Sequence, residues 1–143
     1  DFVHIRKPGA SEEQVEELIK AIHPALRCRL KLHEHFPLAL KYGLGGIHLN
    51  SRWPEGLPGV TSISKSCHSL KELGDAARYN YVTLSPFDSI SKPGYLSRFA
   101  LEELAEHLAG KRVVALGGVT PSRFPALQEA GFWGAAMLGY FWK

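Results

Sequence analysis

Long apolar runs are missing from this sequence: no stretch approaches the roughly 20 residues that a membrane-spanning helix needs, so no membrane partner is expected. Cysteine is scarce. Cys28 and Cys67 are the two thiols and neither lies in a CxxC pair, which excludes a disulfide-built scaffold and makes reduced thiols in a cytoplasmic setting the expectation. A basic stripe with interleaved aromatics is also absent. Lys and Arg number 17 against 14 Asp and Glu, scattered along the chain for a formal charge of only +3. That balance argues against a nucleic-acid partner and suits a pocket for an anionic small molecule. No low-complexity stretch or linker divides the chain, so residues 1–143 read as one domain. The opening DFVHIRKPGA has neither an initiator Met nor a signal-peptide pattern. It starts directly on a strand-like segment, and the expectation is that the chain's beginning lies elsewhere.

What is present is a core-forming alternation of short apolar strands and helical periods; 45% of the residues are hydrophobic, enough to bury a core. FVHI (2–5) reads as a buried strand. Ser11 then caps a helix with Gln14 in the capping-box position, and Val15, Leu18, Ile19 and Ile22 recur at helical spacing until Pro24. RLKLH (29–33) is a second strand, followed by a short helix from Leu38 to Tyr42. A third strand ends at Leu49, a proline- and glycine-rich loop runs from Arg52 to Gly59, and TSISKS (61–66) is a fourth. Ser69 and Glu72 form a second capping box for a helix through Ala77. YVTL (81–84) is the fifth strand, a Ser/Gly/Pro loop leads to a helix over 99–108, and RVVAL (112–116) is the sixth. Thr120-Pro121 starts a helix through Ala130, and GAAML (134–138) is the seventh strand.

Such repetition, in units of roughly 20 residues, predicts an α/β fold with a parallel sheet. A flavodoxin-like open sheet uses five strands, too few here. Seven fit a (β/α)8 TIM barrel holding strands 2–8, with the first β-α unit missing from this chain. Open sheet edges would then invite a partner strand or a homodimer.

In either architecture the chemistry gathers at the C-terminal ends of the strands. Those ends carry His4 and Arg6; His33, Glu34 and His35; His48 and Asn50; Ser66 and His68; and Ser85, Ser89, Ser91 and Lys92. The sixth strand runs into Gly117-Gly118 and the seventh into Gly139. Glycines between a strand and a helix start let backbone N–H groups approach a phosphate, though tight turns alone would also require them. Ser89, Ser91 and Lys92 form either an anion clamp or a solvated loop. His68 is placed for proton transfer or merely beside a helix cap. His33, Glu34, His35, His48 and His68 offer ligands for zinc or iron. No HxH lies within one strand with matching later ligands, so the expectation is no metal bound by this set.

Taken in order and spacing, GGIHLN (45–50), SKSCHSLKEL (64–73), YVTLSPFDSISK (81–92), RVVALGGVTP (112–121) and GFWGAAMLG (131–139) resemble the thiamine-phosphate synthase/TenI family, a (β/α)8 barrel family. The resemblance implies one of two activities on a thiazole phosphate. The synthase joins it to a hydroxymethylpyrimidine diphosphate with Mg2+ assisting departure of diphosphate. The TenI-branch tautomerase moves a proton with a histidine and no metal. The family's Q-x-R-x-K falls on His4, Arg6 and Pro8, its Asn-Asp pair on His33 and Glu34, and its HLGQxD on His48 through Trp53. The resemblance thus implies His4, Arg6, His33, His48 and Ser66 as substrate contacts. It implies Gly117, Gly118, Gly139, Ser89, Ser91 and Lys92 as phosphate contacts, and His68 with Glu34 as acid/base groups. Trp53 replaces one of two Mg2+ carboxylates, which should weaken Mg2+ binding. That loss tips the expectation toward the tautomerase, with the synthase and a non-catalytic thiazole-phosphate binder or regulator as alternatives.

Overall fold

A computed structural model describes residues 1–85 and 101–141. By its internal contacts the chain forms two compact units, residues 1–65 and 66–143. No helix among the described residues is long and apolar enough to cross a membrane.

In the first unit β1 (Val3–Ile5), β2 (Leu30–Leu32), β3 (Ile47–Leu49) and β4 (Ile63–Cys67, which ends in the second unit) are parallel neighbours in chain order. The register pairs Ile5 with Leu32, Leu32 with Ile47, and Ile47 with Ile63. Because side chains alternate along a strand, these apolar residues share one face. With the buried Val15 and Ile19 of α1 (Glu12–Ala21) and Leu38 and Ala39 of α2 (Pro37–Lys41), they form the apolar interior of this unit. The same register pairs His4 with Lys31 and His48 with Ser64, which collects these four polar residues on the opposite face.

Helix α1 starts as its capping box predicts. Ser11 Oγ accepts from Gln14 N–H at 3.3 Å and Gln14 Oε1 accepts from Ser11 N–H at 2.9 Å. Leu18, although in phase with the apolar stripe, keeps 37% of its surface exposed. Past Pro24 the chain does not simply end its helix but tightens into a 3-10 helix, Pro24–Arg29.

In the second unit β5 (Tyr81–Leu84), β6 (Val113–Leu116) and β7 (Gly134–Ala136) are again parallel neighbours in chain order. Its core includes Leu73, Val82, Leu84, Leu104, Val113 and Leu127, the last two helical contributions coming from α3 (Leu101–Leu108) and α4 (Phe124–Glu129). Two predicted helices differ in form. The segment after Ser69 is a 3-10 helix, Lys71–Arg78, rather than an α-helix; Gly74 and Asp75 in its middle are poor α-formers. The capping residues still act, since Ser69 Oγ accepts from Glu72 N–H at 3.3 Å while the Glu72 carboxylate accepts from His68 N–H at 3.1 Å. The helix expected from Pro121 to Ala130 is split into a 3-10 turn, Pro121–Arg123, and α4. Pro125 has no N–H with which to close an α-turn back to Pro121.

The close approach of β3 to β4 depends on Gly46, whose φ is +130°. A Cβ there would sit 2.0 Å from the Ser62 carbonyl oxygen. Gly46→Ala is therefore expected to cost about 3 kcal/mol or more in urea unfolding. Gly110→Ala, with φ +71° but no atom within 4 Å of the new Cβ, should cost about 1 kcal/mol.

Candidate active site

The polar face of β1–β4 is dense with imidazole. His4 lies within β1, His33 immediately follows β2, and His48 is central in β3. Parallel pairing with the observed register sets the three side by side. His4 Nδ1 and His33 Nε2 share a hydrogen bond of 2.9 Å. The His33 and His48 rings stack with centroids 4.4 Å apart, and His4 meets His48 edge-on at 4.8 Å. One ring nitrogen from each residue lies within 4.8 Å of the others.

Second neighbours decide the state of these rings. Ser64 Oγ donates to the Ile47 carbonyl oxygen at 3.3 Å, so its lone pair accepts from His48 Nδ1 at 2.8 Å. The His48 proton therefore sits on Nδ1 and the lone pair on Nε2. Burial holds the His4 pKa at about 3, aided by the charges of His33 and Lys31. Burial also holds His33 at about 4, aided by Arg6. Desolvation disfavours the imidazolium, so both rings are neutral at physiological pH.

Lys31 is the residue that the sequence reading misses. It is fully buried on β2, and its Nζ donates to Ser62 O at 3.2 Å and Ser62 Oγ at 2.9 Å and lies 4.9 Å from the Phe2 ring centre. Desolvation lowers its pKa to about 8. The signal was present in RLKLH, where a charge occupies the middle of an apolar strand.

The other predicted residues of this unit take varied places. Arg6 is exposed at the end of the His4 face. Glu34 Oε1 is buried with no hydrogen-bond partner among the described residues. His35 turns away with φ +54°, its Nε2 3.0 Å from Ala10 O and its Nδ1 3.9 Å from Glu12 Oε2. It braces the loop before α1 and stands apart from the imidazole trio. Asn50 Nδ2 donates to His33 O at 2.9 Å, while its Oδ1 accepts from Arg52 N–H at 3.0 Å. It ties the loop after β3 to the end of β2. Trp53 is 48% exposed and meets Phe36 edge-on. The sequence reading draws its possible ligands from His33, Glu34, His35, His48 and His68; the structure assembles His4, His33 and His48 instead.

In the second unit, His68 follows β4 and is exposed. Its Nδ1 lies 3.2 Å from Ser85 O and 3.1 Å from Ser85 Oγ. A carbonyl only accepts, so Nδ1 carries the proton and Nε2 the lone pair. Ser85 is itself fixed by donating its N–H to Cys67 O at 3.1 Å. Ser66 lies half-buried within β4. Gly117 and Gly118, with φ +101° and +64°, turn the chain between β6 and the 3-10 turn at Pro121, and Gly139 is exposed in a turn after β7. Ser89, Ser91 and Lys92 lie outside the described residues.

The family model described as thiamine monophosphate synthase matches residues 1–140. The chain belongs to the thiamine monophosphate synthase (TMP-TENI) family. Among curated relatives, the thiamine-phosphate synthase of Bacteroides fragilis (strain ATCC 25285) is 29% identical over 157 residues, spanning 96% of this chain and 77% of the relative. That of Synechococcus sp. (strain CC9605) is 28% identical over 145 residues, spanning 93% of this chain and 41% of the relative. The solved thiamine phosphate pyrophosphorylase from Bacteroides thetaiotaomicron is 35% identical, with a TM-score of 0.84 over 99% of this chain and 71% of that one. The thiamine phosphate pyrophosphorylase from Pyrococcus furiosus shares the fold, with a TM-score of 0.73 at 20% identity over 94% of this chain and 70% of that one. Both curated relatives carry the name thiamine-phosphate synthase, which favours the synthase reading over the tautomerase reading expected from the sequence.

The Mg2+ that the synthase/TenI resemblance implies for a synthase fits the described residues of this family member poorly. Mg2+ demands oxygen ligands in near-octahedral geometry. Among the described residues Glu34 Oε1 is the one buried carboxylate oxygen without a hydrogen-bond partner, Trp53 stands where a second carboxylate is implied, and the neighbouring donors are imidazole nitrogens.

The lowered pKa values set a pH dependence. The unfolded chain binds protons at 6.5, the ordinary histidine value, that folded His4 and His33 refuse until about 3 and 4. Their stabilising contribution is complete above about pH 6.5 and is lost as pH falls through the folded values. With EDTA present, the urea midpoint should drop between about pH 7 and about pH 4.5, and His4→Gln should flatten that drop.

Proposed function

We propose that this protein is a thiamine-phosphate synthase, joining a pyrimidine carrying a methylene diphosphate to a thiazole phosphate. The observation that carries this reading is the match to the synthase family over residues 1–140. The seven strands then correspond to seven of the eight strands of a (β/α)8 barrel. In the reaction the thiazole nitrogen lone pair forms a C–N bond to the methylene carbon. The C–O bond to diphosphate breaks, and the diphosphate leaves with that electron pair.

On this reading the strand ends divide the work. Backbone N–H groups at Gly117, Gly118 and Gly139 hold the thiazole phosphate, a role supported by the left-handed conformation of the first two. His4, His33 and His48 contact the pyrimidine half. Arg6, with Lys92, Ser66, Ser89 and Ser91, offsets the charge of the departing diphosphate. Glu34 lies beside His33 in sequence with one carboxylate oxygen still able to accept a hydrogen bond.

One observation favours a second reading, the thiazole tautomerase. The exposed His68 imidazole has a defined tautomer with Nε2 able to take a proton, and that reaction needs a histidine and no metal. Incubation with the pyrimidine diphosphate, the thiazole phosphate and Mg2+ separates the two. Thiamine phosphate and diphosphate formed in equal amounts support the synthase. Isomerisation of the thiazole phosphate without coupling, abolished in His68→Ala, would overturn it in favour of the tautomerase.

For the synthase, Gly118→Ala should raise KM for the thiazole phosphate about tenfold, with little change in kcat, because a side chain strains the backbone at φ +64° and blocks the anion's approach. Steady-state kinetics with the thiazole phosphate varied checks it; an unchanged KM would remove this loop from the site.

A further inference from the structure

We propose that His4, His33 and His48 form a binding site for a divalent transition-metal cation of the zinc class, held by three imidazole nitrogens with a fourth position left for an exogenous ligand. The first support is convergence. Three strands place one nitrogen each within 4.8 Å of the other two. In a tetrahedral site with Zn–N bonds of 2.0–2.1 Å, nitrogen atoms lie about 3.3 Å apart. His4 Nδ1 and His33 Nε2, at 2.9 Å, are already closer than that. A modest opening of this pair and an inward shift of His48 place all three around one ion.

The second support is the tautomer of His48. Its Nδ1 is committed to Ser64 Oγ, which is in turn oriented by the Ile47 carbonyl. This leaves Nε2 as the lone-pair atom, the arrangement by which a second neighbour orients a metal-bound histidine. In the metal-free protein one nitrogen of the His4–His33 pair carries the shared proton. On metal binding that ring moves its proton to its other nitrogen, and both facing nitrogens become donors without a net change in charge.

The third support is donor chemistry. Imidazole suits zinc, copper, iron and nickel, whereas Mg2+ requires oxygen. The cations Arg6 and Lys31 act electrostatically on His33 and His4, and Lys31 Nζ is held by Ser62. Two nearby positive charges favour an anion, such as hydroxide or a phosphate oxygen, as the fourth ligand.

Titration of the chelator-treated full chain with Co2+, followed by Zn2+ displacement, tests the site without any substrate. One equivalent of Co2+ should develop the visible absorption of a tetrahedral nitrogen site and lose it to one equivalent of Zn2+. Zn2+ affinity by calorimetry should fall about 100-fold in His4→Gln and in His33→Asn, and about 10-fold in Ser64→Ala. It should be unchanged in His107→Ala, an exposed histidine outside the trio, and Mg2+ should not compete. Circular dichroism of each variant confirms folding, and His4→Gln and His33→Asn provide two independent routes to the same result. Absence of the cobalt band, or equal Zn2+ affinity in wild type and in both folded variants, would overturn the proposal. Because no substrate is present, failure here leaves the synthase reading standing, and failure of turnover leaves the metal site standing.

Discussion

The register of four parallel strands is the constraint on which the first unit depends. Pairing Ile5, Leu32, Ile47 and Ile63 on one face commits His4, Lys31, His48 and Ser64 to the other. A slip of one residue on any strand would exchange those faces, burying charge among the aliphatic residues. The apolar core and the polar cluster are thus set by one geometric decision. Gly46 belongs to the same decision, because the β3–β4 approach leaves no room for a Cβ.

Withdrawing three imidazoles and an ammonium group wholly or partly from water is costly unless each finds a partner or sheds its charge. The structure uses both routes. His4 and His33 are neutral and share a hydrogen bond, His48 is held by Ser64, and Lys31 is held by Ser62. His4 and His33 are therefore tolerated as a neutral hydrogen-bonded pair flanked by two cations, Lys31 held by Ser62 and the exposed Arg6. A set of neutral, oriented nitrogen donors is also what a borderline-soft cation requires. The same features that make the cluster affordable to bury make it a ligand set.

Much of the fold was legible in the sequence because local signals and tertiary structure agree. The capping box at Ser11 and Gln14 starts α1 as read, and each of the seven apolar runs contains a strand. The misreadings trace to local breaks in helical geometry: Gly74-Asp75 and Pro125 turn two expected helices into 3-10 or split segments. The family was legible from motif order, and the comparisons bear it out. The imidazole trio was not, since its members lie 29 and 15 residues apart (4 to 33, 33 to 48) and meet only through strand register. Lys31 escaped because alternation within a three-residue strand gives little indication of which face is filled.

The central claim is that His4 and His33 are half-buried, neutral members of one hydrogen-bonded cluster. Nitrogen-15 NMR of the imidazole side chains in the chelator-treated protein, assigned by His4→Gln and His33→Asn, reads it directly. The account predicts that both rings remain neutral at about pH 5, with one of the pair protonated on the nitrogen facing the other. Conversion of both rings to imidazolium near the ordinary value of 6.5 would contradict it.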